Sequence, residues 1–157
     1  MTDVPEESDR IIGDTLTMVR VFDATPERVF DAWTKEEQLG EWWGPEWVST
    51  PRDTIRVVPE VGGEWSLTMV GPDGAEHRSE NIITAFDRPN RIELITAPAG
   101  GIQATLRVTF QAVGGKTVMT VVNRVVTMGQ DLEAMATGWR SMLSKLESLF
   151  AGAGRML

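Results

Sequence analysis

The stretch QDLEAMATGWRSMLSKLESLF, Gln130–Phe150, decides how the rest of the chain is read. Leu132, Met135, Trp139, Leu143 (with Met142 beside it), Leu146 and Phe150 recur at spacings of three and four, the apolar stripe of a long amphipathic helix. Gly138 inside that stripe costs about 1 kcal/mol relative to alanine, so a neighbouring backbone or a guest is expected close by. Upstream the pattern changes to strict alternation. In Ile102–Gln111, Ile102, Ala104, Leu106, Val108 and Phe110 face inward, while Gln103, Thr105, Arg107, Thr109 and Gln111 face water, as in a half-buried antiparallel strand. Gly114-Gly115 then turns the chain into Lys116–Val126, where Met119, Val121, Asn123 and Val125 share a face.

Farther toward the N-terminus, Thr54–Val58, Glu64–Val70, Ala75–Phe86 and Arg91–Thr96 read as strands. Gly62-Gly63, Gly71-Pro72-Asp73-Gly74 and Asp87-Arg88-Pro89-Asn90 supply the turns between them. Thr15–Asp23 is a first strand. Thr25 as N-cap, Pro26 at the first helical position and Glu27 against the dipole then open a helix that buries Val29, Phe30 and Trp33. Glu36–Trp42 is a second short helix, stopped by Gly44-Pro45. Residues 1–13 read as a flexible acidic tail, 14–152 as a single domain and 153–157 as a C-terminal tail. A sheet followed by a segregated helix is α+β. The economical packing curls the sheet around the long helix. A curled sheet and a straight helix match poorly at one end, which leaves a natural cavity.

Five of the six tryptophans fall between Trp33 and Trp65, three of them in Glu41-Trp42-Trp43-Gly44-Pro45-Glu46-Trp47. Each buries on the order of 150–250 Å² and needs a partner for its indole N–H, so the cluster must pack against something large. Either it plugs the end of a wide core or it walls a cavity for an apolar guest. Neighbours on a helix point about 100° apart, so at most one of Trp42 and Trp43 is expected to face such a cavity. Trp65, Leu67 and Met69 share one strand face, and Met135, Trp139 and Met142 descend from the long helix. Eight methionines suit an irregular or adaptable interior.

Composition narrows the chemistry. A formal charge of −8, with no basic run, disfavours nucleic acid and anionic membrane surfaces as partners. No apolar run approaches the roughly 18 residues of a membrane span. The acidic start is the opposite of a signal peptide, and the lack of cysteine suits the cytoplasm while excluding disulfides and thiolate metal sites. His77 is the only histidine, read as a surface residue beside a turn. No metal-ligand spacing, serine-nucleophile motif or phosphate loop is present. No catalytic residue, metal or cofactor is expected.

The order of elements carries particular motifs. They are Phe22-Asp23-Ala24-Thr25-Pro26-Glu27-Arg28-Val29-Phe30-Asp31-Ala32-Trp33-Thr34, Trp42-Trp43-Gly44-Pro45, Gly62-Gly63-Glu64-Trp65, Pro72-Asp73-Gly74 and Gly138-Trp139. Together they resemble the START-like superfamily, also called SRPBCC, the fold of the major birch-pollen allergen. Within it the chain looks like the family named for the activator of heat-shock protein 90 ATPase, from about Leu16 to Phe150. The resemblance implies a helix-grip fold with an apolar cavity between the sheet and the C-terminal helix. Members of the wider superfamily bind lipids, sterols, hormones or polyketides, and some cyclise them. The chain departs from the family pattern at Val58-Pro59-Glu60-Val61, where an acidic and then a basic residue are common.

Three functions follow from the resemblance and stay open at this point. The first is a binding protein that holds a small apolar or amphipathic ligand beneath the long helix. Trp33, Trp43, Trp65 and Met69, with Met119, Asn123, Met135 and Trp139, would line or close the pocket, Asn123 serving as polar anchor. The second is a co-chaperone stimulating a heat-shock protein 90 ATPase, although the eukaryotic activator resembles this chain only in its second domain. The third is a polyketide cyclase or lyase using the same cavity, with a carboxylate or His77 as acid or base. Monomer and homodimer are both open.

Overall fold

The computed structural model describes residues 4–97 and 103–155. Strand β2 (Thr15–Phe22) hands over to helix α1 (Pro26–Thr34) at the expected cap. Thr25 is extended and its Oγ1 accepts from the Arg28 N–H at 3.3 Å, with Pro26 and Glu27 in the first turn. Helix α2 (Glu36–Trp42) follows at once. A short 3-10 turn at Arg52–Thr54 leads into β3 (Arg56–Val57), β4 (Glu64–Val70), β5 (Glu76–Asp87), β6 (Arg91–Thr96), β7 (Ala104–Val113) and β8 (Lys116–Val125). Helix α3 (Leu132–Arg155) closes the fold; the Asp131 carboxylate accepts from the Ala134 N–H at its start.

With β1 (Ser8–Ile12), the strands form one antiparallel sheet in the order β1-β2-β8-β7-β6-β5-β4-β3. The sheet curls about α3, helped by a register shift between Ile83 and Ala85 that bends β5. α3 runs antiparallel to β8, so its first turns lie over Asn123 and its last over Phe22.

The segment Ser8–Ile12 corrects the reading of residues 1–13 as a tail: it is an edge strand, registered from Ser8↔Val19 to Ile12↔Thr15. The acids here bind within the fold. The Asp9 carboxylate takes Arg20 and Arg140, each at 2.7 Å, and the Glu7 carboxylate accepts from the Val21 N–H at 3.0 Å. Burial opposes ionisation of Asp9, yet the two arginines outweigh it and hold its pKa below the usual carboxylate value. At the other end α3 runs past Phe150 to Arg155, into the segment read as a tail. Residues 1–3, Ile102 and residues 156–157 lie outside the described residues.

The interior has two parts. In one part the five phenylalanines pack edge to face in two groups, one of which includes Phe150 near the end of α3. Phe22 lies 5.5 Å from Phe150, and Phe30 lies 5.2 Å from Phe86 and 5.4 Å from Phe110. Leu143, Leu146, Val108 and Val121 fill the space between them, all buried. The tryptophans hold the other end.

Candidate functional site

Strand pairing fixes which side chains look at α3. Trp65, Leu67 and Met69 lie on the concave face of β4, and their partners across the hairpin are Asn81, Ser79 and His77. Asn81 pairs in turn with Thr96, and Leu106 with both Leu94 and Asn123. By the alternation of a strand these residues share the concave face, while Glu76, Arg78 and Glu80 point outward. Arg78 is held outside by Glu64, Glu80 and the Thr54 carbonyl. Between this face and Met135, Gly138, Trp139 and Met142 of α3 lies an open cleft of about 640 Å³.

A turn after α2 supplies the remaining wall. Gly44 adopts φ +94°, where a Cβ would meet Val48 Cγ2 at 2.8 Å and Thr50 Oγ1 at 2.9 Å, so glycine is required. The turn is fastened to α3 at several points. The Lys145 ammonium donates to the Gly44 carbonyl at 2.8 Å, and the Glu46 N–H donates to Ser141 Oγ at 2.9 Å. Burial lowers the Lys145 pKa, with Glu46 opposing. Pro45 sits over Gly138, 3.4 Å from where a Cβ would stand, so the helical glycine faces both this ring and the cleft. Held this way, Trp43 borders the cleft.

Five indoles interlock here. Trp43 lies 4.9 Å from Trp65, 5.2 Å from Trp42, 5.4 Å from Trp139 and 5.6 Å from Trp33, all edge to face. The Trp42 and Trp65 N–H groups donate to the carbonyls of Ala32 and Trp33, each at 2.8 Å. Trp43 Nε1 is buried without a hydrogen-bond partner.

Of the eight residues expected around a pocket, Trp43, Trp65, Met69, Asn123, Met135 and Trp139 border the cleft. Trp33 and Met119 do not, and this corrects their assignment. Both are fully buried, and Trp33 Nε1 donates to Met119 Sδ at 3.4 Å, so they form the floor between cleft and core. Trp42 is likewise fully buried, whereas Trp47 is 52% exposed because the turn closed by Val48 N–H to the Pro45 carbonyl carries it outward.

Asn123 is not a free anchor. In the amide orientation that satisfies both its ends, its nitrogen donates to the Thr105 carbonyl at 3.2 Å and its oxygen accepts from Trp139 Nε1 at 3.3 Å. Its role is to hold the Trp139 indole in place. Thr96 is also spent, donating to and accepting from the Ala104 backbone at 3.1 and 3.0 Å. Sequence reasoning missed Ser79, Thr96, Leu94, Leu106 and Pro45. His77 is exposed, as expected, but stands on the concave face at the mouth. Ser79 Oγ is engaged by Asn81 rather than by His77, so no nucleophile–base pair is assembled. Among the described residues no group of three acidic or histidine side chains could hold a metal ion, and no helix is long and apolar enough to cross a membrane.

A curved antiparallel sheet gripping a long C-terminal helix, with a cleft under that helix's first turns, defines a START-like, helix-grip protein. The chain belongs to the family described as Activator of Hsp90 ATPase homolog 1-like protein, whose profile matches residues 23–151. It is similar to a solved protein from Rhodobacter sphaeroides, with TM-score 0.83 and 20% identity over 94% of this chain and 99% of that one. A protein from Chromobacterium violaceum gives TM-score 0.79 at 21% identity, covering 87% of this chain and 96% of its own. The AHSA1 protein from Silicibacter pomeroyi gives 0.73 at 23% identity, covering 87% and 97%. Identities this low carry the fold alone. No curated protein matches the chain significantly.

Proposed function

We propose that this protein binds a small apolar or amphipathic molecule in the cleft between α3 and the concave face of the sheet. The observation that carries this reading is the cleft itself, about 640 Å³ and walled by Trp43, Trp65, Trp139, Met69, Met135 and Met142. That volume falls within the range of about 300–1,000 Å³ typical of small-molecule sites. Apolar burial supplies most of the binding, at roughly 25 cal/mol per Å² removed from water. The thioethers adjust to the shape of the guest, while the fastened turn keeps Trp43 in position before the guest arrives.

Titration with N-phenyl-1-naphthylamine, a neutral apolar dye that brightens out of water, tests the reading. Saturable brightening that is lost when Met135 is replaced by Trp to fill the cleft is the expected result. No brightening at any dye concentration would remove the reading.

A further inference from the structure

Among the polar groups at the cleft, Asn81 and Ser79 keep an adjacent hydrogen-bonding pair available, and it selects a kind of guest. The Asn81 side chain donates to the Trp65 carbonyl at 3.1 Å and to Ser79 Oγ at 3.0 Å. A carbonyl can only accept, so the atom facing it is the amide nitrogen, and both of its hydrogens are used. Asn81 Oδ1 is therefore left as an acceptor with no partner among the described residues. Ser79 Oγ, having accepted from Asn81, keeps its own proton to give. An acceptor and a donor thus stand side by side on the concave face of β5, opposite the apolar side of α3.

Charge is excluded from the same surface. The charged residues of the cleft lining are Glu76, Arg78 and Glu80, and the pleat turns all three outward, with Arg78 paired to Glu64 and Glu80. On β4 the facing groups are Trp65 and Met69, on β6 to β8 they are Leu94, Thr96, Leu106 and Asn123, and on α3 they are Met135, Trp139 and Met142. Asn123 and Thr96 already have their bonds. His77 stands on this face too, but exposed at the mouth. A carboxylate carried in to the tryptophans would leave it behind, meet no other cation and face the Asn81 oxygen; a buried ammonium would meet no carboxylate. Leaving either charge unpaired is costly.

Resting on the binding role proposed above, the geometry points to an uncharged alcohol or phenol as the guest. Its hydroxyl donates to Asn81 Oδ1 and accepts from Ser79 Oγ, and its hydrocarbon rings lie against Trp43, Trp65 and Trp139. A hydroxyl is the smallest neutral group that both gives and takes a proton, so it matches this pair without leaving either member unsatisfied.

A matched series of 2-naphthol, naphthalene and 2-naphthoate, measured by calorimetry at pH 7 on the intact chain, tests the assignment. Expected is 2-naphthol binding about 10-fold more tightly than naphthalene, in keeping with two modest hydrogen bonds, and 2-naphthoate binding more weakly than either. Ser79→Ala should cut the preference for naphthol over naphthalene by about 3-fold. Equal binding of naphthol and naphthalene, or tighter binding of the naphthoate, overturns the assignment even if the neutral dye binds. Failure of the dye and of all three naphthalenes overturns both this assignment and the binding role.

Discussion

The two ends of α3 are built from different aromatics, and the difference locates the cleft. Its last turns meet phenylalanines packed edge to face, with Leu143, Leu146 and Phe150 buried among them. Its first turns meet tryptophans and methionines that border open space. Phenylalanine has no polar atom and can be closed in from every side. An indole N–H that finds a partner orients its ring, and an oriented ring can stand as a wall; Trp43, whose N–H has none, is held by its fastened turn instead. Trp139 is held by Asn123, and Trp65 by the Trp33 carbonyl. The packed end supplies stability, while the walled end leaves room for a guest.

The largest effect expected from this contrast comes from two truncations one turn apart on α3. Leu146→Ala, in the packed end, should lower stability by about 2–5 kcal/mol. Met142→Ala borders space that is already empty, so fewer contacts are lost, and it should cost less than about 1.5 kcal/mol. Chemical denaturation of both variants checks this; equal losses would mean that the two ends are packed alike.

Much of the contrast is legible in sequence, because the period of each element determines its buried face. Alternation placed Trp65, Met69 and Asn123 on the concave side, and helical spacing placed Met135 and Trp139 opposite them. Periodicity says which face is buried but not how far along the axis the packing closes. Trp33 and Met119 therefore have the right face and the wrong depth: they meet each other below the cleft. Ser79 is hidden, and Asn81 is only one of several polar candidates in the sequence beside Glu80, for a related reason. Their face follows only once the register across Gly71-Pro72-Asp73-Gly74 pairs Met69 with His77. Helix α2 and strands β4 and β6 have the bounds their sequences predict, since glycines and prolines punctuate them locally. Strand β1 is different. Its acids resemble a solvated tail until Arg20 and Arg140, distant in sequence, are brought to Asp9.

A smaller effect is expected at Gly138. Its prospective Cβ has ordinary contact with Pro45 at 3.4 Å, so Gly138→Ala should stabilise the helix by up to about 1 kcal/mol. The added methyl also enters the cleft, and affinity for the neutral dye should fall. A stability gain with unchanged affinity would mean that the guest does not reach α3 at this turn.

The smallest effect lies at the packed end, where Arg88 grips Asp31 through two bonds of 2.9 and 3.0 Å. These bonds lower the Asp31 pKa from its usual 3.8, with burial opposing. A carboxylate whose pKa is depressed on folding contributes stability above its unfolded value and loses it as pH falls through the folded one. Asp31→Asn should therefore be slightly less stable than the parent at pH 7, and the gap should close below about pH 4. Thermal unfolding across that range reads the gap, and dye binding at pH 7 should not change. Loss of binding would tie the packed end to the site.

The most direct measurement uses the indoles themselves, whose N–H resonances report separately on each tryptophan in a two-dimensional nitrogen–proton spectrum. On titration with 2-naphthol the signals of Trp43, Trp65 and Trp139 should shift together and saturate, while those of Trp42 and exposed Trp47 stay in place. Shifts spread evenly over all six, or confined to Trp47, would contradict a walled cleft under the first turns of α3.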